Sequence, residues 1–335
     1  MVFLYCCSPF LIPFVFGVFF AFLMVPLCRF LEKIGINRTL SSLMSTLVVF
    51  IVFGGTLLIF ITQANAFASE MPDLEEKVDS LIEHAQGGIE SITSLTLSEQ
   101  DAIIEEWSGE IIEKIEPFVT GFFGKVFSTA FSFLLVLIYV FLLLLYREKI
   151  FDFVMMYIAK SEEASAEETV TRISKVAFHY LWGRVQVILI LGVLFFVTFI
   201  LFGLPYALLF ALFGAVITII PYIGPLLSGV LPVLFSFVYF DSTQKIVFFA
   251  AVVLAIQLVE SYVLEPLILG KEVKLNPMVV IISIVMGGIV WGLAGMILFV
   301  PIFAILKIIS LDHPGLQPIA FLLGHDSKEA FEKQE

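Results

Sequence analysis

A few polar residues stand inside otherwise apolar stretches of this 335-residue chain, and theirs are the side chains that could do chemistry. Arg184 and Gln186 lie early in the apolar run from Phe178 to Phe202, and Gln257, Glu260 and Glu265 lie toward the end of the run that begins at Gln244. A charge at the centre of a bilayer costs roughly 2.5 to 3.5 kcal/mol on insertion scales, so such groups turn toward a bundle interior or a water-filled path. A carboxylate there, Glu260 before Glu265, is the type of group that could exchange a proton for a cation. The alternative is structural: a place near enough to the cytoplasmic interface to reach water, or an ion pair. Arg184 is expected to meet Glu260 or Glu265 across a helix interface, since opposite charges relieve each other's desolvation.

A second constellation is built from proline and glycine. Residues 220–225 read IPYIGP. Pro221 and Pro225 each remove a backbone donor, so a helix must open there and leave carbonyls for an ion, a water or a polar ligand. Tyr222 adds a hydroxyl that wants a partner when buried, and Gly224 lets the chain turn closely. The turn is therefore expected to line an aqueous cavity on a solute path, with a plain tight turn between two short spans as the other possibility. Gly288 and Gly292 have GxxxG spacing, which points to helix packing.

Enzyme chemistry has no foothold in the pattern. There is no GxxxxGK[ST] loop, no HExxH, no GxSG and no GxGD. His84, His179, His313 and His325 have no histidine four residues away, no CxxC exists to hold a metal, and Cys6, Cys7 and Cys28 are too few for a disulfide scaffold. Neither catalysis nor a cofactor nor a metal centre is expected.

The elements that must position these residues are membrane helices. Sixty per cent of the chain is apolar and 14% charged, with a mean hydropathy of +1.06, whereas a soluble domain carries roughly 25% charged residues. There is no basic excess to suggest a nucleic-acid partner. Runs of the ~20 apolar residues that a bilayer span needs are Pro9 to Cys28, Leu40 to Thr62, Phe122 to Tyr146, Phe178 to Phe202, a Pro-interrupted pair from Pro205 to Phe240, Gln244 to Leu264, and Met278 to Ile309. The last run would be ~48 Å long as one helix against a ~30 Å hydrocarbon core, so a hairpin or re-entrant turn is expected near Gly287, Gly288, Gly292 and Gly295.

Charge sets the orientation. The net charge of −12 resides in residues 63–118, which hold fourteen acids and two bases; the rest of the chain is balanced. That acidic segment is expected outside, as two amphipathic helices, one patterned by Leu74, Val78, Leu81, Ile82, Ala85 and Ile89 and one by Ile103, Ile104, Trp107, Ile111, Ile112 and Ile115. Arg29, Lys33 and Arg38, then Arg147, Lys149, Lys160, Arg172 and Lys175, then Lys271 and Lys274, and finally Lys307, Lys328 and Lys333 mark cytoplasmic ends. Residues 161–169 are expected as a solvated connection. The count works if residues 205–240 cross twice and the final run goes in and returns, and it leaves the N-terminus outside.

The domain plan is then N-terminal spans in 1–62, an acidic helical extracytoplasmic domain in 63–118, a span in 119–146, a cytoplasmic amphipathic connection in 147–177, a transmembrane core in 178–309 and a cytoplasmic tail in 310–335. The expected fold is an all-α integral membrane protein of about seven to eight transmembrane helices with Pro- or Gly-broken segments and a small helical extramembrane domain.

Three ordered blocks, GLPYALLFALFGAVITIIPYIGPLLSGVLP from Gly203, QLVESYVLEPLILGKEVKLNP from Gln257 and MGGIVWGLAGMILFVPIFAILK from Met286, resemble the autoinducer-2 exporter family of permeases. The resemblance implies a bacterial-type polytopic inner-membrane transporter of about eight helices, often oligomeric and without an ATP-binding domain. It also brings Asn276 and Pro277, which end the second block, among the path residues. Some family members are described as exporters of the furanone signal autoinducer-2, others as sodium or lithium/proton antiporters. Two departures stand out. The family usually has a further helix upstream of Pro9, which would resolve the outside N-terminus, and its common Gly-Gln pair falls on Gly183 and Arg184, so Arg replaces the amide.

The reading that follows is a multi-pass secondary transporter in the inner membrane, moving a small polar solute outward and working as a homo-oligomer. A sodium(lithium)/proton antiporter is the alternative, and a non-transporting membrane scaffold with an acidic partner-binding domain is the second.

Overall fold

The computed structural model describes residues 7–69, 132–156, 163–240, 242–269, 275–312 and 314–324. Among them every regular element is helical, and the one strand-like feature is an isolated antiparallel bridge between Leu275 and Gly324. Five helices are long and apolar enough to cross a bilayer, and three shorter ones are also apolar. The chain is an all-α integral membrane protein. Its outward faces carry large apolar side chains such as Leu201, Leu267 and Ile289, the surface that lipid rather than water would cover.

Helices α1 (Ser8–Lys33) and α2 (Arg38–Ser69) form a hairpin. Gly35 supplies the positive φ of 94° that stops α1, and Asn37 Oδ1 accepts the Leu40 N–H at 2.9 Å to start α2. Ser41, Ser42, Ser45 and Thr46 are buried on α2; Ser45 and Thr46 turn their hydroxyls to carbonyls one turn back. That small face lets α1 approach, bringing Cys28 Sγ within 3.8 Å of Ser42 Oγ. α3 (Ser132–Leu145) packs Val136, Val140 and Leu144 against Ala21 and Val49. Beyond Tyr146, α4 (Arg147–Met156) buries no residue.

α5 (Glu163–Phe202) has 40 residues, ~60 Å at 1.5 Å per residue, about twice the hydrocarbon thickness. Its helix is already formed at Glu163, so most of residues 161–169, expected as a solvated connection, are helical; Ala and Glu there are strong helix formers that lengthen α5 beyond its apolar run. Around α5 lie α6 (Ala207–Ile217), α7 (Ile223–Tyr239) and α8 (Thr243–Ile268), sharing a core of Leu191, Phe195, Phe199, Ala211, Ala215, Phe249 and Val253. The eleven residues of α6 reach only ~16 Å, too little to cross a ~30 Å core. Residues 205–240, expected to cross twice, thus have a first arm too short to cross alone as a helix, and α7 packs beside it, with Gly214 lying against Ser228.

α9 (Pro277–Asp312) is a hairpin in its own right. Its backbone leaves the helix at Gly292, where φ is 60° and ψ −139°, and Gly287 then lies against Gly295 while Val279 shares a core with Val300 and Ala304. In a straight helix Val279 and Ala304 would be ~38 Å apart. Gly288 and Gly292 are thus not a packing pair on one face: Gly292 is the turn, and Gly288 receives Met296 from the returning arm. The region expected as a plain tail is in part structured. α10 (Gln317–Leu323) buries Ala320 and Leu323, and Leu323 O accepts the Asn276 N–H at 2.9 Å. The expected acidic domain lies, from residue 70 on, outside the described residues, as does the stretch from Phe122 to Phe131.

Candidate substrate path

The polar residues of α5 and α8 converge at one level of the bundle. Arg184, 7% exposed, donates from Nη1 to Glu265 Oε1 at 2.8 Å, with its guanidinium carbon 5.9 Å from the Tyr180 ring centroid, within cation–π range. Of the two acids expected to meet it, Glu265 does. The pair sits beside a close helix contact, since a Cβ on Gly183 would stand 2.8 Å from Leu269 Cδ2. Glu260 is 1% exposed, and neither of its carboxyl oxygens has a hydrogen-bond partner. The charges that act on it are Glu265 and Arg184.

A local distortion of α8 arranges the two acids. Residues Glu260–Leu264 form a π-turn, in which the Glu265 N–H reaches the Glu260 carbonyl five residues back. Pro266, with no N–H to give, removes the donor that an α-helical turn would need next. Five residues along an α-helix are ~140° apart; the widened turn lessens that angle and brings Glu260 and Glu265 toward one face. Sequence reading singled out both acids and missed the turn, although Pro266, just after the run, was its signal.

One turn up α8, Gln257 Nε2 donates to the Pro225 carbonyl at 2.6 Å and lies against Gly229, where any side chain would collide with it. Pro225 O also accepts Ser228 Oγ at 3.1 Å. Two other carbonyls of the IPYIGP break are taken as well: Ile223 N–H closes a three-residue turn on Pro221 O, and Gly224 N–H reaches Ile220 O, both at 2.8 Å. The carbonyls that the two prolines would have met are not left free: Ile217 O takes the Ile220 N–H at 3.0 Å, and Pro221 O takes the Ile223 N–H of the γ-turn. Tyr222 holds the strained position of that turn at φ 65°, with its side chain 57% exposed. Gly224 is buried, and a Cβ there would run into the backbone of Ile217 and Thr218.

Three further residues stand apart from this cluster. Gln186 is half-buried and, two residues on from Arg184, lies ~200° round the helix. Asn276 caps α9, its Oδ1 accepting the Met278 N–H at 3.0 Å, and Pro277 occupies the first helical position. A second polar cluster was read in the sequence only as topology markers. Arg147 donates to Cys28 Sγ at 3.2 Å and to Glu32, while Arg38 meets Glu148 at 2.7 Å, tying the α1–α2 turn to the start of α4. Among the described residues no group of three His, Cys, Asp or Glu side chains could hold a metal ion.

Comparison with known proteins adds lineage to this geometry. Two proteins of Bacillus subtilis (strain 168), whose names place them provisionally among transport proteins, are similar along most of their length. YrrI is 26% identical over 90% of this chain and 85% of its own, and YueF is 29% identical over 87% and 80% respectively. The AI-2 transport protein TqsA of Escherichia coli (strain K12) is 25% identical over 95% of this chain and 90% of its own. The model of the AI-2E family transporters matches residues 1–314. With that match spanning both broken hairpins and the Arg184–Glu265 interface between them, the chain belongs to the AI-2E family of membrane transporters.

Proposed function

We propose that this protein is a secondary permease of the bacterial inner membrane that moves a small polar solute out of the cytoplasm, with autoinducer-2 as the solute to test first. The observation that carries the reading is Glu260: a carboxyl group with no partner, buried beside an ion pair, on a helix whose turn is widened at that residue. The TqsA relative supplies the candidate solute. In this reading the acidic segment 63–118 faces outward and the protein works as a homo-oligomer.

The same carboxyl supports a second reading, sodium(lithium)/proton antiport, because an unpartnered acid can hold either cation in turn. Flux into and out of proteoliposomes separates the two. Efflux of the furanone that follows its own gradient or a proton gradient supports the permease. Sodium-dependent proton movement without furanone flux supports the antiporter, and neither flux in well-incorporated vesicles supports a scaffold whose acidic domain binds a partner.

A further inference from the structure

Two groups of opposite charge lie in the same space between α5 and α8 and leave each other unmet. Arg184 spends Nη1 on Glu265 while its Nε is buried with no acceptor, and Glu260 has two buried oxygens with no donor. Each is within electrostatic reach of the other. An unpaired buried polar group is costly, and an unpaired charge more so. A pair serving only to hold the fold together would have used these donors and acceptors. The π-turn makes the omission more telling, since it brings Glu260 round to the face that Glu265 presents to Arg184.

We infer that Arg184 exchanges between the two acids and so gates the cytoplasmic end of the path. Paired with Glu265, it holds the end of α8 on α5, where Gly183 packs against Leu269 and Ile268. Paired with Glu260, it releases Glu265, and the helix ends part. Whatever occupies Glu260, a proton, a cation or a hydroxyl of the solute, keeps Arg184 on Glu265 by competing for the alternative carboxylate. Glu265, half-exposed at the helix end, is the latch, and the resident arginine is the moving part. The inference rests on the reading that Glu260 faces the transport path, and it assigns that site its inner gate.

The test reads accessibility, not flux. Leu269→Cys in a background with Cys6, Cys7 and Cys28 replaced by serine places a thiol at the Gly183 contact. Inside-out membrane vesicles are treated with a membrane-impermeant maleimide in the absence of solute. E265Q should speed labelling by at least about fivefold, the lower end of ordinary coupling between sites, because the latch is gone. The deciding variant is E260Q. If Arg184 leaves Glu265 for Glu260, removing Glu260 keeps Arg184 on the latch and labelling falls clearly below the parent rate. E260Q labelling equal to the parent rate would show a simple structural tie and overturn the exchange, as would unchanged labelling in E265Q. Should E265Q not accumulate in membranes, E265D, which shortens the stem by one methylene, replaces it with the same expected order. Labelling in the expected order without solute flux keeps the gate and loses the permease reading; flux with flat labelling does the reverse.

Discussion

Gly295→Ala should force the two arms of α9 apart. A Cβ at Gly295 would stand 2.9 Å from Gly287 Cα and closer still to the Gly287 carbonyl, whereas carbon atoms rest ~3.5 to 4.0 Å apart. Both obstacles are backbone, so no side chain can swing aside and the arms must separate by about 1 Å. Overpacking of this kind costs about 1 to 3 kcal/mol, against which the intrinsic gain of Ala over Gly in a helix is only about 1 kcal/mol. Gly55→Ala is the matched control, because nothing lies within 4 Å of a Cβ there and the intrinsic gain should appear alone. The assay is the thermal midpoint of detergent-solubilised protein, followed by aggregation of the unfolded fraction, with both variants in parallel. Gly55→Ala should be as stable as the parent or more so, and Gly295→Ala clearly less. A Gly295→Ala protein as stable as Gly55→Ala would mean that the arms are not in backbone contact, and the hairpin reasoning would fail with it.

Two other substitutions probe separate parts of the molecule. In a cysteine scan of residues 218–228, position 222 should react with aqueous or interfacial thiol reagents, since Tyr222 is exposed, whereas position 224 should be unreactive or poorly folded because Gly224 is packed on the Ile217 and Thr218 backbone; equal labelling at both would contradict the turn. Arg147→Met should destabilise the α1–α2 hairpin by about 1 to 3 kcal/mol, as Glu32 and Cys28 lose their donor in a partly buried site. Glu148→Ala should change stability by less than about 1 kcal/mol, because its 69% exposed carboxylate makes a solvent-screened pair with Arg38. Proteolysis rates of the two variants in membranes check the contrast, and similar rates would refute it.

The fold was legible where length and hydropathy decide it and less so where geometry does. A run of apolar residues too long for one crossing, with glycines in its middle, is enough to require the turn in α9, but which glycine turns depends on the contacts of Gly287, Gly288 and Gly295, and those are tertiary. The Pro205 to Phe240 stretch has residues enough for two spans, and only the helix end at Ile217 reveals that its first arm is short. At the site, charge in an apolar run was sufficient to find Arg184, Glu260 and Glu265. Their division of labour was not legible, because it follows from a change of helical pitch between Glu260 and Leu264. Proline in the IPYIGP break signals a missing donor but not which neighbour replaces it: the Pro221 carbonyl that Pro225 cannot reach is met by Ile223 N–H in a tight turn, and the Pro225 carbonyl itself draws Gln257 from thirty-two residues away.

The backbone bridge between Asn276 and Leu323 makes α9 a lever: its start is clamped to α10, and its glycine turn at Gly292 is the far end of the first arm. A small rotation at a clamp becomes a larger displacement at the tip in proportion to the arm, ~22 Å for the fifteen residues from Pro277 to Trp291. The last helix of the described chain, short and polar in its approach, therefore has mechanical authority over a turn on the opposite side of the hairpin. Constructing reporter fusions or tags directly after residue 316 would cut that clamp, and a protein altered in this way would report on a hairpin with one end released.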